Sequence, residues 1–370
     1  MKMRPMQSSD WPRFCDFAAR HFGMSHNANP TFNQHWFRCR GIAPEQEAEL
    51  DGWSGLVIED GDRLLGIMMF IITSAQFNGG SSPMTWISTG VVEDEARAVG
   101  AGAPLYMWIY KKFPIVGALS GNALSGPINS LLGHEIPGVS MCRHLAIHDE
   151  RIRVILPADF QGDLSAVRHA AEVPSGLNWN WEVSLPADYN QVWEEFRRTG
   201  VFTTDRTPEH YHWRVATAPF MDYRILSIRR HSKLVGMAVV RFQETPEGPA
   251  CRIIDFIAGP ADAAGSFAAV AAACAAAGAL FSDFQVIGSI FDTALEDGGY
   301  RRPESDPALD AVPNLLSPID HRKWTNTFNI GGQLARKNQE WRSADQVYFT
   351  KADSDRDWPT KYELARQGIE

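Results

Sequence analysis

Hydrophobic and polar positions follow the same plan twice along the chain. Between residues 54 and 135, apolar–polar alternation broken by turn residues predicts strands over 55–59, 63–73 and 84–92. A glycine-containing loop follows, then a helical pattern over 104–113, a short apolar strand over 115–119 and a helical stretch near 127–132. Between 222 and 299 the order recurs. Strands are predicted over 223–229, 233–243 and 251–258, then a loop, a helix over 266–277, a strand over 280–287 and a helix over 290–297. Leu64-Leu65-Gly66-Ile67-Met68 aligns with Leu234-Val235-Gly236-Met237-Ala238, each after a polar turn, Asp60-Gly61-Asp62 or His231-Ser232-Lys233. Turn-linked alternating strands imply antiparallel hairpins, and the strand–helix–strand after them implies a parallel crossover. The expected fold class is therefore α/β (α+β): two tandem units, each a mixed, mostly antiparallel sheet flanked by helices. Pro157, Gly162, Pro174 and Gly176 mark the passage between them, giving an N-terminal domain at 1–160 and a C-terminal domain at 176–370.

The loop between the third strand and the first long helix reads Arg97-Ala98-Val99-Gly100-Ala101-Gly102-Ala103, followed by Pro104. Glycines let a backbone approach a ligand and present N–H groups, and the N-terminus of the next helix adds partial positive charge. Pro104 suits a first helical turn because its missing N–H has no partner to lose there. The pattern R-x-x-G-x-G differs from a dinucleotide fingerprint, which needs a third small residue where Leu105 stands, and from a nucleoside-triphosphate loop, which needs Gly-Lys-Ser/Thr. An anionic cofactor is the first expectation.

Composition narrows the picture. A chain of 370 residues suits about two domains with ample apolar cores. The alanine-rich run at 266–281 is interrupted by Gly278 and too small-residued to span a bilayer, and the N-terminus lacks the apolar stretch of a signal peptide. A soluble, cytoplasmic protein without membrane insertion is expected. Cys15, Cys39, Cys142, Cys251 and Cys274 are scattered without a C-x-x-C pair and read as reduced, small buried residues rather than a metal or disulfide framework. A net charge of −9 argues against a nucleic-acid surface.

Hairpins leading into strand–loop–helix–strand–helix, with R-x-x-G-x-G at the strand-to-helix junction, resemble the GCN5-related N-acetyltransferase superfamily, and the chain looks like a tandem of two such units. The opening Met3-Arg4-Pro5-Met6-Gln7-Ser8-Ser9-Asp10-Trp11 is similar to the first strand and helix start of those proteins. The resemblance implies an acyl-CoA held through its pyrophosphate by Arg97, Ala98, Val99, Gly100, Ala101, Gly102 and Ala103. Its pantetheine arm would lie along the strand edge at Val91 and Val92, with Asn129 on the helix after the short strand. The corresponding second loop, Gly259-Pro260-Ala261-Asp262-Ala263-Ala264-Gly265, lacks the arginine and adds Asp262, so the second unit is expected to have lost the cofactor and to help form the acceptor site. Tandem members of this size resemble nucleotide-sugar N-acyltransferases of surface-polysaccharide synthesis, which makes the amino group of a nucleotide-linked amino sugar the expected acceptor. A second copy of the chain is kept as a partner; no metal is called for.

Acyl transfer from a thioester to an amine needs a polarised carbonyl, a deprotonated amine and alignment of the two. Histidine needs the smallest pKa shift to act as base near neutrality, and a carboxylate needs burial. The catalytic candidates are Asp255, which interrupts the apolar run Arg252-Ile253-Ile254-Asp255-Phe256-Ile257, with His134 and Glu93. Asp94, His26, His35 and Glu135 are weighed beside them, and pairing of Asp255 with Arg241 or Arg252 is the structural alternative. The tyrosine that protonates the leaving thiolate in many relatives has no counterpart, since Ser125, Asn129 and Ser130 occupy that stretch. For the acceptor, Arg206, Trp213, Arg214, Tyr223 and Trp324 supply aromatic faces and cations. Three other readings stand beside this one: an aminoacyl transferase of peptidoglycan synthesis resembling the Fem proteins, a metal-dependent glycosyltransferase using Asp353 and Asp355, and a catalytically silent binding protein.

Overall fold

In a computed structural model of the chain, every residue is described except 24–25, 120–127, 129, 132–138, 166, 168–171, 317–318, 323–326, 355–356 and 367–370, together with the side chains of 26, 361 and 362. The first half contains β1 (Lys2–Pro5), the helices α1 (Trp11–Phe22), α2 (Pro30–Trp36) and α3 (Pro44–Glu49), then β2 (Gly55–Asp60), β3 (Arg63–Phe77) and β4 (Gly80–Val92). A short helix α4 (Asp94–Ala98), the helix α5 (Ala103–Lys112), β5 (Ile115–Leu119) and β6 (Cys142–Ile147) follow. The second half contains β7 (Leu177–Glu182), β8 (Phe202–Thr204), β9 (Tyr223–Arg230), β10 (Lys233–Thr245), β11 (Gly248–Ala258) and β12 (Phe281–Ile287). Two-residue strands β13 (Leu315–Leu316) and β14 (Ile319–Asp320) precede β15 (Phe328–Gly331) and β16 (Val347–Thr350).

The mixed sheet has the expected α/β character, and its order repeats. In the first unit β1, β2, β3 and β4 form an antiparallel meander, β4 runs parallel to β5, and β5 pairs antiparallel with β15. In the second unit β7, β9, β10 and β11 form the meander, β11 runs parallel to β12, and β12 pairs antiparallel with β6. The last strand of each unit thus comes from the other half of the sequence. The expected division at 160–176 separates the halves along the chain, while β6 and β15 cross it in space. β8 and β16 join the units, since β3 pairs with β8, β8 with β16, and β16 with β12.

Strand β3 is apolar almost throughout because both of its faces are covered. Ile67, Met69 and Ile71 pack against Trp11, Phe14 and Phe17 of α1 and Phe32 and Trp36 of α2, whereas Met68, Phe70 and Ile72 meet Leu105 and Ile109 of α5. The Ala263–Ala276 helix takes the place of α5 in the second unit, and its small side chains let it come close to β10: a Cβ on Gly236 would lie 2.6 Å from Ser266 Oγ. No helix of the described residues is long and apolar enough to cross a membrane. The five cysteines are free; Cys39, Cys251 and Cys274 are buried, and Cys15 and Cys142 partly so.

The reciprocal exchange has a direct consequence for folding. Fragments 1–160 and 176–370 expressed separately each lack the strand that covers one edge of their parallel pair, so neither is expected to show a cooperative urea transition alone, while co-expression restores one. A sharp independent transition in either fragment would contradict the exchange.

Candidate active site

One irregularity shapes both units. Along β4, Gly66 pairs with Val92, Ile67 with Val91 and Met68 with Gly90, but the next partners are Phe70 and Ile87, so β4 carries one extra residue at Ser88–Thr89. Along β11, Gly236 pairs with Ala258, Met237 with Ile257, Ala238 with Phe256 and Val239 with Asp255, then Val240 with Ile253, so the extra residue is Ile254. A bulge bends its strand and disrupts the ladder. In each unit the parallel pairing stops at the residue before it: the last pairs are Ile87 with Ala118, and Ile253 with Phe284. Past that point each parallel pair opens into a wedge.

The two wedges are filled differently. In the second unit β16 inserts, pairing Thr350 with Val286 and Phe349 with Ile287. Ala352 N–H donates to Ile254 O at 3.1 Å, and the Tyr348 hydroxyl donates to Phe256 O. Every residue from 250 to 258 is buried. In the first unit no described strand enters the wedge, and none of residues 87–92 is fully buried. No described strand pairs with the edge of β4 from Thr89 to Val92 that faces away from β3, and this edge leads at its Val92 end to the loop before α5.

In that loop Gly100 has φ +76°, a conformation that favours glycine. The N–H groups of Gly100, Ala101 and Ala103 donate to Arg97, Ala96 and Gly100 carbonyls at 2.9, 3.0 and 3.2 Å, so the turn already uses part of the expected amide row; the Gly102 N–H takes no part in these bonds. Arg97 and Ala98 close α4, and Val99 to Gly102 form the turn. Acids just before the loop are each matched by a base: Glu93 with His21 (3.3 Å) and Arg20 (3.6 Å), Glu95 with Arg63 (2.7 Å), and Asp94 with Arg97. Such exposed pairs hold their partners weakly. At the equivalent loop of the second unit Asp262 is fixed to Arg230 at 2.7 Å, and a Cβ on Gly259 would run into the Glu195 carboxylate. Before the Ala263–Ala276 helix the loop is thus occupied by Asp262 and by Glu195, the latter paired with Lys233 at 3.3 Å, where the first unit has a bare glycine turn.

Asp255 and Arg206 are brought together, but inside the plug of the second wedge. Arg206 donates to Asp255 Oδ2 at 2.9 Å and to Asp353 Oδ2 at 2.7 Å, and Asp255 also accepts from Tyr211 (2.6 Å) and Thr350 (2.9 Å). All three charged side chains have no exposed surface. Burial, with the Asp255 charge next, holds the Tyr211 and Tyr348 phenols far above their ordinary range. A carboxylate so enclosed has no route to a substrate proton, which corrects the expectation of Asp255 as base; its partner is Arg206 rather than Arg241 or Arg252, which bind Asp357 and Asp283. The same geometry takes Asp353 away from the glycosyltransferase reading, because its Oδ2 also accepts from Thr350 N–H at 2.6 Å; Asp355 lies outside the described residues.

The expected acceptor residues are likewise internal ties. Arg214 donates to Ala352 O (2.8 Å), Lys351 O (3.0 Å) and Tyr223 Oη (2.8 Å) and lies 4.3 Å from the Trp36 ring; the Tyr223 hydroxyl donates to Asp357 at 2.7 Å. Trp213 Nε1 donates to His35 O at 3.2 Å, and burial pushes His35 down to about 4. Arg206, Arg214 and Tyr223 thus hold the segment after β16 in place, while Trp213 ties to α2. His134, Asn129 and Trp324 lie outside the described residues, as does Glu135. Glu93 stays accessible, with its side chain 21% exposed. Sequence reasoning missed His21, the contact of Thr89 Oγ1 with Asn27 Oδ1 (3.3 Å) at the bulge, and a cleft of about 280 Å³ lined by Ser140, Cys142, Arg143, Arg302, Asn314 and His321. That cleft begins beside β15: Ser140 bridges to Thr327, and Phe328 N–H donates to Val139 O at 3.0 Å, next to the end of β5.

The overall fold is similar to that of solved structures. A GCN5-related N-acetyltransferase from Anabaena variabilis superimposes with TM-score 0.57 at 15% identity, covering 89% of this chain and 72% of that one. The chain has the GCN5-related N-acetyltransferase fold. A member of the same superfamily from Kribbella flavida gives TM-score 0.51 at 14% identity over 90% of this chain and 71% of that one. A conserved Enterococcus faecalis protein of unknown function gives 0.54 at 10% identity over 90% and 73%. No protein-family model and no curated protein sequence matches the chain.

The Arg206 cluster yields a stability test. Arg206→Ala leaves Asp255 and Asp353 buried without a cation, so urea unfolding should show a loss of about 3–5 kcal/mol. Adding Asp255→Asn and Asp353→Asn should recover much of it. A loss below about 1 kcal/mol would mean the cluster does not hold the plug.

Proposed function

We propose that the chain is an acyl-CoA-dependent N-acyltransferase whose first unit holds the donor and whose acceptor is an amine, in our reading the amino group of a nucleotide-linked amino sugar. The observation that carries this is the open wedge of the first unit, a strand edge leading to a glycine turn and a helix N-terminus, beside a second wedge closed by the chain itself. A thioester carbonyl lying along Thr89 to Val92 would meet backbone N–H groups able to stabilise the developing oxyanion, an effect commonly worth several kcal/mol.

The pyrophosphate would sit at the start of α5, taking the Gly102 N–H and the helix dipole. Arg97 would leave its exposed partner Asp94 for the phosphate, an exchange that costs little because such pairs contribute about 0–1 kcal/mol. Val91 and Val92 flank the arm. His134 remains the proposed base, while Glu93, one residue past Val92 at the phosphate end of the slot and paired with His21, stands about 16 Å of strand from the bulge where the thioester would lie. For the acceptor, the cleft next to the end of β5 has a wall of mixed charge, Arg143, Arg302 and His321 with Glu304 and Asp310, and Arg143 and Arg302 already bind Asp283 and Asp292, so it supports a polar ligand without selecting an anionic one. The direct test is release of free thiol from acetyl-CoA in the presence of dTDP- and UDP-linked amino sugars, with aminoacyl-tRNA as the contrasting donor for the peptidoglycan reading.

Gly102 has φ −71°, so a side chain there brings no backbone strain, and its Cβ would rest 3.7 Å from Val92 Cγ2 at the mouth of the slot. Gly102→Val is expected to raise KM for acetyl-CoA about tenfold or more while the melting temperature stays within about 3 °C. An unchanged KM would place the cofactor elsewhere.

A further inference from the structure

The apex of the first wedge has a feature that the transfer reaction does not by itself require. Its floor is the pairing of Met84 to Ile87 with Ile115 to Ala118, and opposite Trp86 stands Gly117. A Cβ placed on Gly117 would lie 2.7 Å from Met84 Cε and 2.9 Å from Trp86 Cε3, so both side chains lie directly on the bare backbone of β5. Trp86 is 1% exposed and is wedged edge-on to Phe349, with ring centroids 5.0 Å apart, and beside Phe328 at 6.0 Å. Phe328 and Phe349 are themselves fully buried. The block is dry, aromatic and close-packed, and such interiors yield to an added methylene only at a cost of about 1–3 kcal/mol.

Direction supplies the rest. With the phosphates at the α5 end, the arm runs from Val92 back toward the apex. Five residues of strand, Ser88 to Val92, span about 16 Å, room for an extended pantetheine chain and its sulfur. The thioester carbon then arrives near the bulge, and whatever continues beyond the carbonyl points at Ile87, Ala118 and the Trp86–Gly117 floor. We infer that Trp86 and Met84, lying over Gly117, form a stop that restricts the donor to a short acyl group, acetyl rather than butyryl or longer. The inference rests on the acyltransferase reading and names the donor class within it. At the corresponding positions of the second unit stand Arg252 and Asp283, an ion pair, so this apolar stop belongs to the unit with the open slot.

Trp86 Nε1 has no hydrogen-bond partner among the described residues, so replacing the indole by a smaller ring forfeits no bond. The experiment is calorimetric titration of the full chain with CoA, acetyl-CoA, butyryl-CoA and hexanoyl-CoA, for the wild type, Trp86→Phe and Met84→Ala. The wild type should bind acetyl-CoA at least about tenfold tighter than hexanoyl-CoA. In each variant that keeps its acetyl-CoA affinity that ratio should fall below about threefold. Equal binding of all three thioesters by the wild type, or an undiminished ratio in such a variant, overturns the stop while leaving the donor site standing. If CoA and every thioester fail to bind, the acyltransferase reading itself falls, and the stop with it. The chain-length profile of the wild type decides the matter even where a variant fails to fold.

Discussion

A single extra residue in a strand governs the architecture. At Ser88–Thr89, and again at Ile254, the antiparallel ladder to the preceding strand absorbs a bulge, and the parallel partner on the other side is released one residue earlier. Released edges cannot stay bare in a folded protein, because unpaired backbone N–H and C=O groups need partners. The molecule meets that demand in two ways, and the difference separates a slot from a seal.

In the second unit the chain supplies the partner. β16 enters the wedge, and Arg206, held by Asp255 and Asp353, fixes it there in a cluster with no exposed charge. The register makes Thr89 the counterpart of Asp255. One position carries a small hydroxyl beside an open edge, and the other a carboxylate that anchors the plug. The loops diverge to match: glycines and Arg97 in one, Asp262 and the neighbouring Glu195 in the other. With the first edge left open, a ligand able to hydrogen-bond along a strand and end in phosphates is its natural complement.

Much of the scaffold was legible in local pattern. Period-two alternation marks β2, β3 and β4 in the first unit and β9, β10 and β11 in the second, and β5 falls on the expected 115–119 because a short apolar run between a helix end and a polar stretch has few other solutions. β3 runs on to Phe77, with Ala75 and Gln76 paired to Thr204 and Thr203 of β8, a contact no local period encodes. The exchange of β6 and β15 was hidden for the same reason, since pairing across more than a hundred residues leaves no mark on either segment. The site was read less well. Asp255 stands out in the sequence as a catalytic candidate with pairing as the alternative; the structure pairs it, and its partner Arg206, like Arg214 and Tyr223, looks from composition like a ligand contact. A buried arginine in an aromatic run reads the same whether it faces a phosphate or a neighbouring carboxylate. Trp86 and Gly117 gave no signal apart from each other, because their meaning lies in the pairing.

The account stands on one open wedge and one sealed one, and the stoichiometry of cofactor binding tests that asymmetry most directly. Titration of the full chain with acetyl-CoA in a calorimeter should give one molecule bound per chain. Two per chain, or no binding at all, would contradict it.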